Sequence, residues 1–166
     1  MSEEHGAHAQ FHIGSPASDH VSVRALGRTH PTAGDHWDGN WIPCRIAVRS
    51  QPFSGEFPGD LRTDEVAGLR DDLERLRTRL DGEASFTTLD GHLAFDVRGD
   101  GLGHFTVAGE ARADPGSGTA LVFALEFDQT LIPAVLAISM GSWRRFPSRG
   151  AWRPAIVSVN GDDAVR

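Results

Sequence analysis

The sequence predicts an α+β protein, predominantly antiparallel β, with about eight strands and two helices in the order strands, helix, strands, helix. Three observations predict it. Val66, Leu69, Leu73, Leu76 and Leu80 step by three and four, the spacing of one helix face. On both sides of that stretch, short runs alternate apolar and polar residues, the period of half-buried strands. Those runs are joined by brief Gly-, Pro- and Asp-rich turns, too short for the crossovers that parallel strands need. One strongly bent sheet or two packed sheets would satisfy the pattern, with the helices covering apolar surface.

In chain order, residues 1–10 read as a disordered N-terminal tail, 11–147 as a single domain and 148–166 as a flexible C-terminal tail in which Ile156–Val159 could add an edge strand. Phe11-His12-Ile13 is a short strand closed by Gly14-Ser15-Pro16. His20 to Leu26 places Val21, Val23 and Ala25 on one face. A long loop, Gly27 to Gly39, leads into Trp37-Asp38-Gly39-Asn40-Trp41. Ile42, Cys44, Ile46 and Val48 define the next strand, with Pro43 at an edge or bulge. Ser50-Gln51-Pro52 turns the chain into Phe53–Phe57, another alternating strand.

The first helix follows. Thr63 or Asp64 suits its N-cap, acids occupy its first turn, and Gly82 suits a left-handed stop. Asp71–Arg75 and Glu74–Arg77 are opposite-charge pairs worth only about 0.2–0.5 kcal/mol each. Burial of the stripe outweighs them, at roughly 1.5–3 kcal/mol per side chain as an upper estimate. Beyond it lies a meander. Ala84 and Phe86 precede a two-residue turn at Asp90-Gly91; then come Leu93, Phe95 and Val97, a Gly99–Gly103 connection, Phe105 and Val107, a turn at Asp114–Gly118, and Leu121, Phe123, Leu125 and Phe127. A second helix opens near Thr130, with Ile132, Val135, Leu136, Met140 and Trp143 as its stripe and Pro147 as its stop.

Composition narrows the function. The chain has 166 residues, 39% of them hydrophobic, and no run near the ~18 apolar residues of a membrane helix. No signal-peptide core stands at its start, so cytoplasmic residence is expected. The single cysteine, Cys44, excludes an intrachain disulfide and a Cys-rich zinc site, and its place in an alternating strand reads as core, with a reactive thiol the alternative. Net charge is −7, which disfavours binding nucleic acid through phosphates and favours a basic protein partner.

Catalytic groups are sparse. His30, Asp35, His36 and Asp38 crowd one loop, but their spacing matches no ligand pattern. The serines lack a G-x-S-x-G setting. Gly99–Gly103 joins two strands with no helix behind it, so it reads as a hairpin loop, not a phosphate cradle. In the Trp37–Trp41 segment, Asp-Gly-Asn suits a turn with positive φ. The two tryptophans are either packing residues or, as the functional alternative, an aromatic anchor.

Phe11-His12-Ile13-Gly14-Ser15-Pro16, the Trp37–Trp41 segment and Phe53-x-Gly55 leading to Leu61-Arg62 resemble the WapI-type bacterial immunity protein family. So do Gly82-Glu83-Ala84, Gly99-Asp100-Gly101 with Gly103-His104, Gly109-Glu110-Ala111, Asp128-Gln129-Thr130 and Phe146-Pro147. The resemblance spans about residues 11–147 and rests on the order and spacing of short motifs. Arg77 and Leu131 stand where the family pattern carries Tyr, and the chain beyond Pro147 is an addition. The resemblance implies a cytoplasmic antitoxin that binds the toxic C-terminal domain of a cognate toxin, a nuclease among the possibilities, and it brings no catalytic residues. The resulting expectation is a binding protein and not an enzyme, without cofactor or metal, without direct contact to nucleic acid or membrane. Asp35, Trp37, Asp38, Trp41, Asp71 and Glu74 are its candidate partner-binding residues. A small-ligand or peptide-binding module is the alternative.

Overall fold

The structure, a computed structural model, describes residues 9–136 and 140–150. Alternation of apolar residues builds two four-stranded antiparallel sheets, each a simple meander. Sheet 1 contains β1 (Gln10–Gly14), β2 (His20–Ala25), β3 (Trp41–Ser50) and β4 (Phe53–Arg62). Helix α1 (Thr63–Arg79) follows, then sheet 2, made of β5 (Asp81–Thr87), β6 (Leu93–Asp100), β7 (His104–Ala111) and β8 (Leu121–Asp128). The predicted class and strand number thus hold, in the form of two sheets.

The registers set which side chains are buried. Val23 pairs with Ile46 and Val97 with Val107, so each sheet gathers its branched residues on one face. These faces, the α1 stripe and Trp143 form one contiguous core. Phe11 of β1 meets Phe86 of β5 edge-on, with ring centroids 5.7 Å apart, joining the sheets through an aromatic pair. A second link between the sheets is polar: the Ser50 hydroxyl donates to the carbonyl of Ala124 in β8. Cys44 is buried, its Sγ donating to the Gly59 carbonyl at 3.3 Å; burial pushes its thiol up to about 12, which makes it a core residue and not a nucleophile.

Val66, Leu69, Leu73 and Leu76 are all buried, and Leu80 packs at the margin of the same core. The helix ends differ from expectation. Its N-cap is Arg62, in extended conformation, and the Glu65 carboxylate reaches back to the Arg62 N–H. Its left-handed stop is Leu80, at φ 61°, two residues before the predicted Gly82. A close approach explains the position: the Leu80 carbonyl lies over Gly99, where a Cβ would stand 2.3 Å from its oxygen, and accepts the N–H of Gly101. On the solvent side, Arg77 pairs with Glu74 as expected, whereas Arg75 pairs with Asp72 and Asp71 with Arg70.

Three further expectations are corrected. The β5–β6 connection is a four-residue loop closed by Thr88 and Leu93, because the Thr88 side chain and backbone bond Leu93 ahead of Asp90-Gly91. Asp38–Asn40 forms a 3-10 turn without positive φ. The second helix is not one regular α-helix among the described residues: they form a 3-10 turn at Gln129–Leu131, an α segment, α2 (Ile132–Ala134), and a 3-10 stretch at Met140–Arg145. The Asp128 carboxylate caps the Thr130 N–H. The glycine and serines near position 141 supply little helix propensity to the stretch that follows. The proposed edge strand at Ile156–Val159 lies outside the described residues.

Charge is divided between the sheets. The strands of sheet 1 hold four arginines (Arg24, Arg45, Arg49, Arg62) against Glu56 and Asp60. Those of sheet 2 hold a single arginine, Arg98, against acids in every strand: Asp81 and Glu83, Asp96 and Asp100, Glu110, Glu126 and Asp128. All of these acids alternate away from the core.

Candidate functional site

Arg62 organises the most structured polar region. It ends β4 and is only 3% exposed, so its charge needs partners. Nη2 donates to the His36 carbonyl at 2.7 Å, Nη1 to the Trp37 carbonyl at 3.2 Å, and Nε to the Asp64 carboxylate at 3.1 Å. The guanidinium carbon lies 5.4 Å from the Trp37 ring centroid and 5.5 Å from that of Trp41. The two tryptophans therefore meet through a shared cation, each contact worth about 0.5–2 kcal/mol. A planar guanidinium suits this task because it stacks and donates in its plane at once.

The loop leading in is built by side-chain caps. Asp35 Oδ1 accepts the N–H groups of Trp37 and Asp38, each at 2.8 Å, and these bonds, Asp38 foremost, hold its carboxyl below the ordinary range. Buried Asn40 is saturated: its amide donates to the carbonyls of His36 and Arg149, and its oxygen accepts the Arg149 N–H and the Thr63 hydroxyl. Thr63 also bonds Ser148, so residues 148 and 149 are held against the start of α1.

Glu65 completes the region. One oxygen accepts the Arg62 N–H and the other the Leu89 N–H, both at 2.8 Å. Burial nonetheless dominates and pushes its carboxyl up to about 7, against the pull of those two donors.

Of the residues predicted to meet a partner, Trp37 and Trp41 both lie against Arg62, and Asp35 and Asp38 belong to the same loop, tied to Trp37 through the Asp35 carboxylate. Trp37 is 60% exposed, and Trp41 is half-buried. Asp71 and Glu74 lie on the solvent side of α1, roughly 14–18 Å along its axis from Arg62, each paired with an arginine. Sequence reasoning missed Arg62, Asn40 and Glu65. Arg62 and Asn40 stand within the family motifs, but nothing local shows their role, since their partners come from distant segments.

Two other features frame the chemistry. Asp60 of β4 and Asp90 and His92 of the β5–β6 loop bring one donor atom each within 4.8 Å of one another. His92 Nδ1 lies 3.0 Å from the Arg112 carbonyl, so in the neutral ring the other nitrogen carries the lone pair. This set could hold a divalent cation with positions left open. His30, Asp35, His36 and Asp38 form no such group among the described residues. Beside α1, a cleft of about 320 Å³ is lined by Val66, Ala67, Arg70, Trp143, Phe146 and Pro147.

No helix among the described residues is long and apolar enough to cross a membrane. What the fold and these sites define is a small β-rich protein with a tryptophan-bearing loop and a strongly acidic sheet face. The profile of the immunity protein WapI-like family matches residues 12–138, most of the chain, and the protein belongs to that family. No curated protein and no solved structure matches it.

Proposed function

We propose that the protein is an antitoxin that binds the toxic C-terminal domain of a cognate bacterial toxin and neutralises it by stoichiometric inhibition, without turnover. Membership of the immunity protein family over residues 12–138 carries this reading. The net charge of −7 supports it, since an acidic inhibitor complements a basic toxin surface, as a nuclease would present at its substrate site. The protein acts in the cytoplasm, where an immunity protein meets its toxin.

Trp37 is the contact residue of first choice. It is exposed, with the Arg62 guanidinium over its ring and the His36 ring edge-on at 5.6 Å, so little side-chain freedom is lost when a partner covers it. Asp38 is exposed beside it, and Asp35 and Trp41 fix the loop; Asp71 and Glu74, exposed on α1 and each paired with an arginine, are the more distant contacts of this reading. Co-expression with the toxin domain encoded beside its gene tests the function. Growth should be restored by the protein and not by an unrelated acidic protein; continued toxicity at equal expression would overturn the reading.

The cleft beside α1 favours a second reading, a small-ligand or peptide-binding module. The Trp143 indole N–H, buried and without an acceptor among the described residues, lies on a side chain that lines it.

A further inference from the structure

We propose that the outward face of sheet 2 is a docking surface for a basic protein domain, and, resting on the antitoxin reading, that this domain is the toxin. Antiparallel sheets commonly leave one face to water. This face has a composition that ordinary solvation does not require. Its middle rung, set by register, runs Ser85, Asp96, Ala108, Ala124 across all four strands. Three of these four side chains are small, so the pleated backbone is open at the centre of the face. The neighbouring rungs bring Glu83, Arg98, Thr106 and Glu126 on one side and Thr87, Ala94, Glu110 and Val122 on the other.

The charges around that flat centre are unbalanced. Arg98 is taken by Glu83 at 2.6 Å, and Glu110 is paired with Arg112. Asp96 and Glu126 have no cationic partner among the described residues; the Asp96 carboxylate accepts only the Ser85 hydroxyl. Long Arg or Lys side chains of a partner, laid across the alanines, reach both carboxylates without displacing anything. Val122, 74% exposed on the same face, supplies an apolar contact. Phosphate would be repelled here, so the surface fits a basic protein and not a nucleic acid.

Size sets a further condition. Four strands about 4.8 Å apart and some 20 Å long present roughly 300–400 Å², about half of one partner's share of a standard interface. The contact must therefore extend beyond the sheet. Leu89, 61% exposed in the β5–β6 loop, is tied through Glu65 to Arg62 and hence to Trp37. A partner that overlaps this end of the sheet gains apolar anchors that charge alone does not supply.

The test is binding kinetics of the toxin domain against the wild-type protein, the Asp96→Asn/Glu126→Gln pair, Ala108→Arg, and a charge-matched control, Glu56→Gln/Asp72→Asn. Circular dichroism verifies that each variant is folded. The expected result is an on-rate lowered about tenfold at low salt for the Asp96/Glu126 pair, a dissociation constant raised at least about 100-fold for Ala108→Arg, and wild-type behaviour for the control. Tight wild-type binding with unchanged sheet variants, or an equal loss in the control, would overturn the docking surface while leaving the antitoxin reading standing. Absence of wild-type binding would instead overturn the antitoxin reading. Wild-type self-association abolished by Ala108→Arg would assign the face to a second copy of the chain and overturn the proposal.

Discussion

Glu65 Oε1 accepts the backbone N–H of Leu89 at 2.8 Å, so a side chain in the first turn of α1 fixes the β5–β6 loop of sheet 2. Its other oxygen holds the Arg62 N–H, and one carboxyl thus couples the tryptophan loop, the helix start and the second sheet.

That carboxyl predicts a pH dependence. Burial raises it from 4.5 to about 7 in the folded protein, so the folded state binds more protons than the unfolded state between those values. The contribution is fully present below about 4.5 and lost as pH rises through about 7. Urea unfolding from pH 4.5 to 7.5 should show Glu65→Gln removing a loss on the order of 2–3 kcal/mol. An identical slope in the variant would contradict the assignment.

The buried stripe of α1 predicts contrasting mutational costs. Leu73→Ala or Leu76→Ala should cost about 2–5 kcal/mol, because the packed sheet cannot collapse into the cavity. Arg75→Ala and Thr78→Ala, on the solvent side, should stay within about 0.5 kcal/mol. Equal losses in urea unfolding would mean that another face is docked.

Two glycines should respond with opposite signs. Gly99→Ala places a methyl 2.3 Å from the Leu80 oxygen, a backbone atom, and should destabilise by at least about 1–3 kcal/mol. Gly68, exposed within α1, has nothing within 4 Å of a new Cβ, and Gly68→Ala should stabilise by about 0.5–1 kcal/mol. Thermal melts of the two variants check the pair.

The strands and α1 were legible because each buries one face against a large apolar surface, which leaves a periodic trace in residues such as Val21, Val23, Ile46 and Leu73. The helix ends were legible only in outline. Leu80 takes the left-handed stop because of its contact with Gly99, nineteen residues away, and no local rule favours Leu over Gly there. The Arg62 sandwich was hidden for the same reason: Trp37 and Trp41 were conspicuous as a pair, but the cation between them comes from the far end of β4. The acidic face of sheet 2 was in principle readable, since its acids fall at alternate strand positions. It emerges only when the registers place Asp96, Ala108 and Ala124 on one rung.

Arg62→Lys retains the charge and loses the fork that reaches His36, Trp37 and Asp64 together. It should lower stability by about 1–3 kcal/mol and red-shift tryptophan fluorescence as Trp41 gains solvent. An unchanged emission spectrum would show that the rings are held by other contacts.

Metal removal should be without effect. Treatment with a chelator is expected to leave the melting temperature and toxin binding as they were. A zinc-dependent rise in melting temperature that His92→Ala abolishes would instead assign a structural ion to Asp60, Asp90 and His92.

Titrating a fixed amount of the toxin domain with the protein, and following residual toxin activity, tests the central claim most directly. Stoichiometric inhibition predicts a linear fall to zero at one equivalent, independent of incubation time. Undiminished activity at several-fold excess and micromolar concentration, or progressive loss at far less than one equivalent, would contradict it.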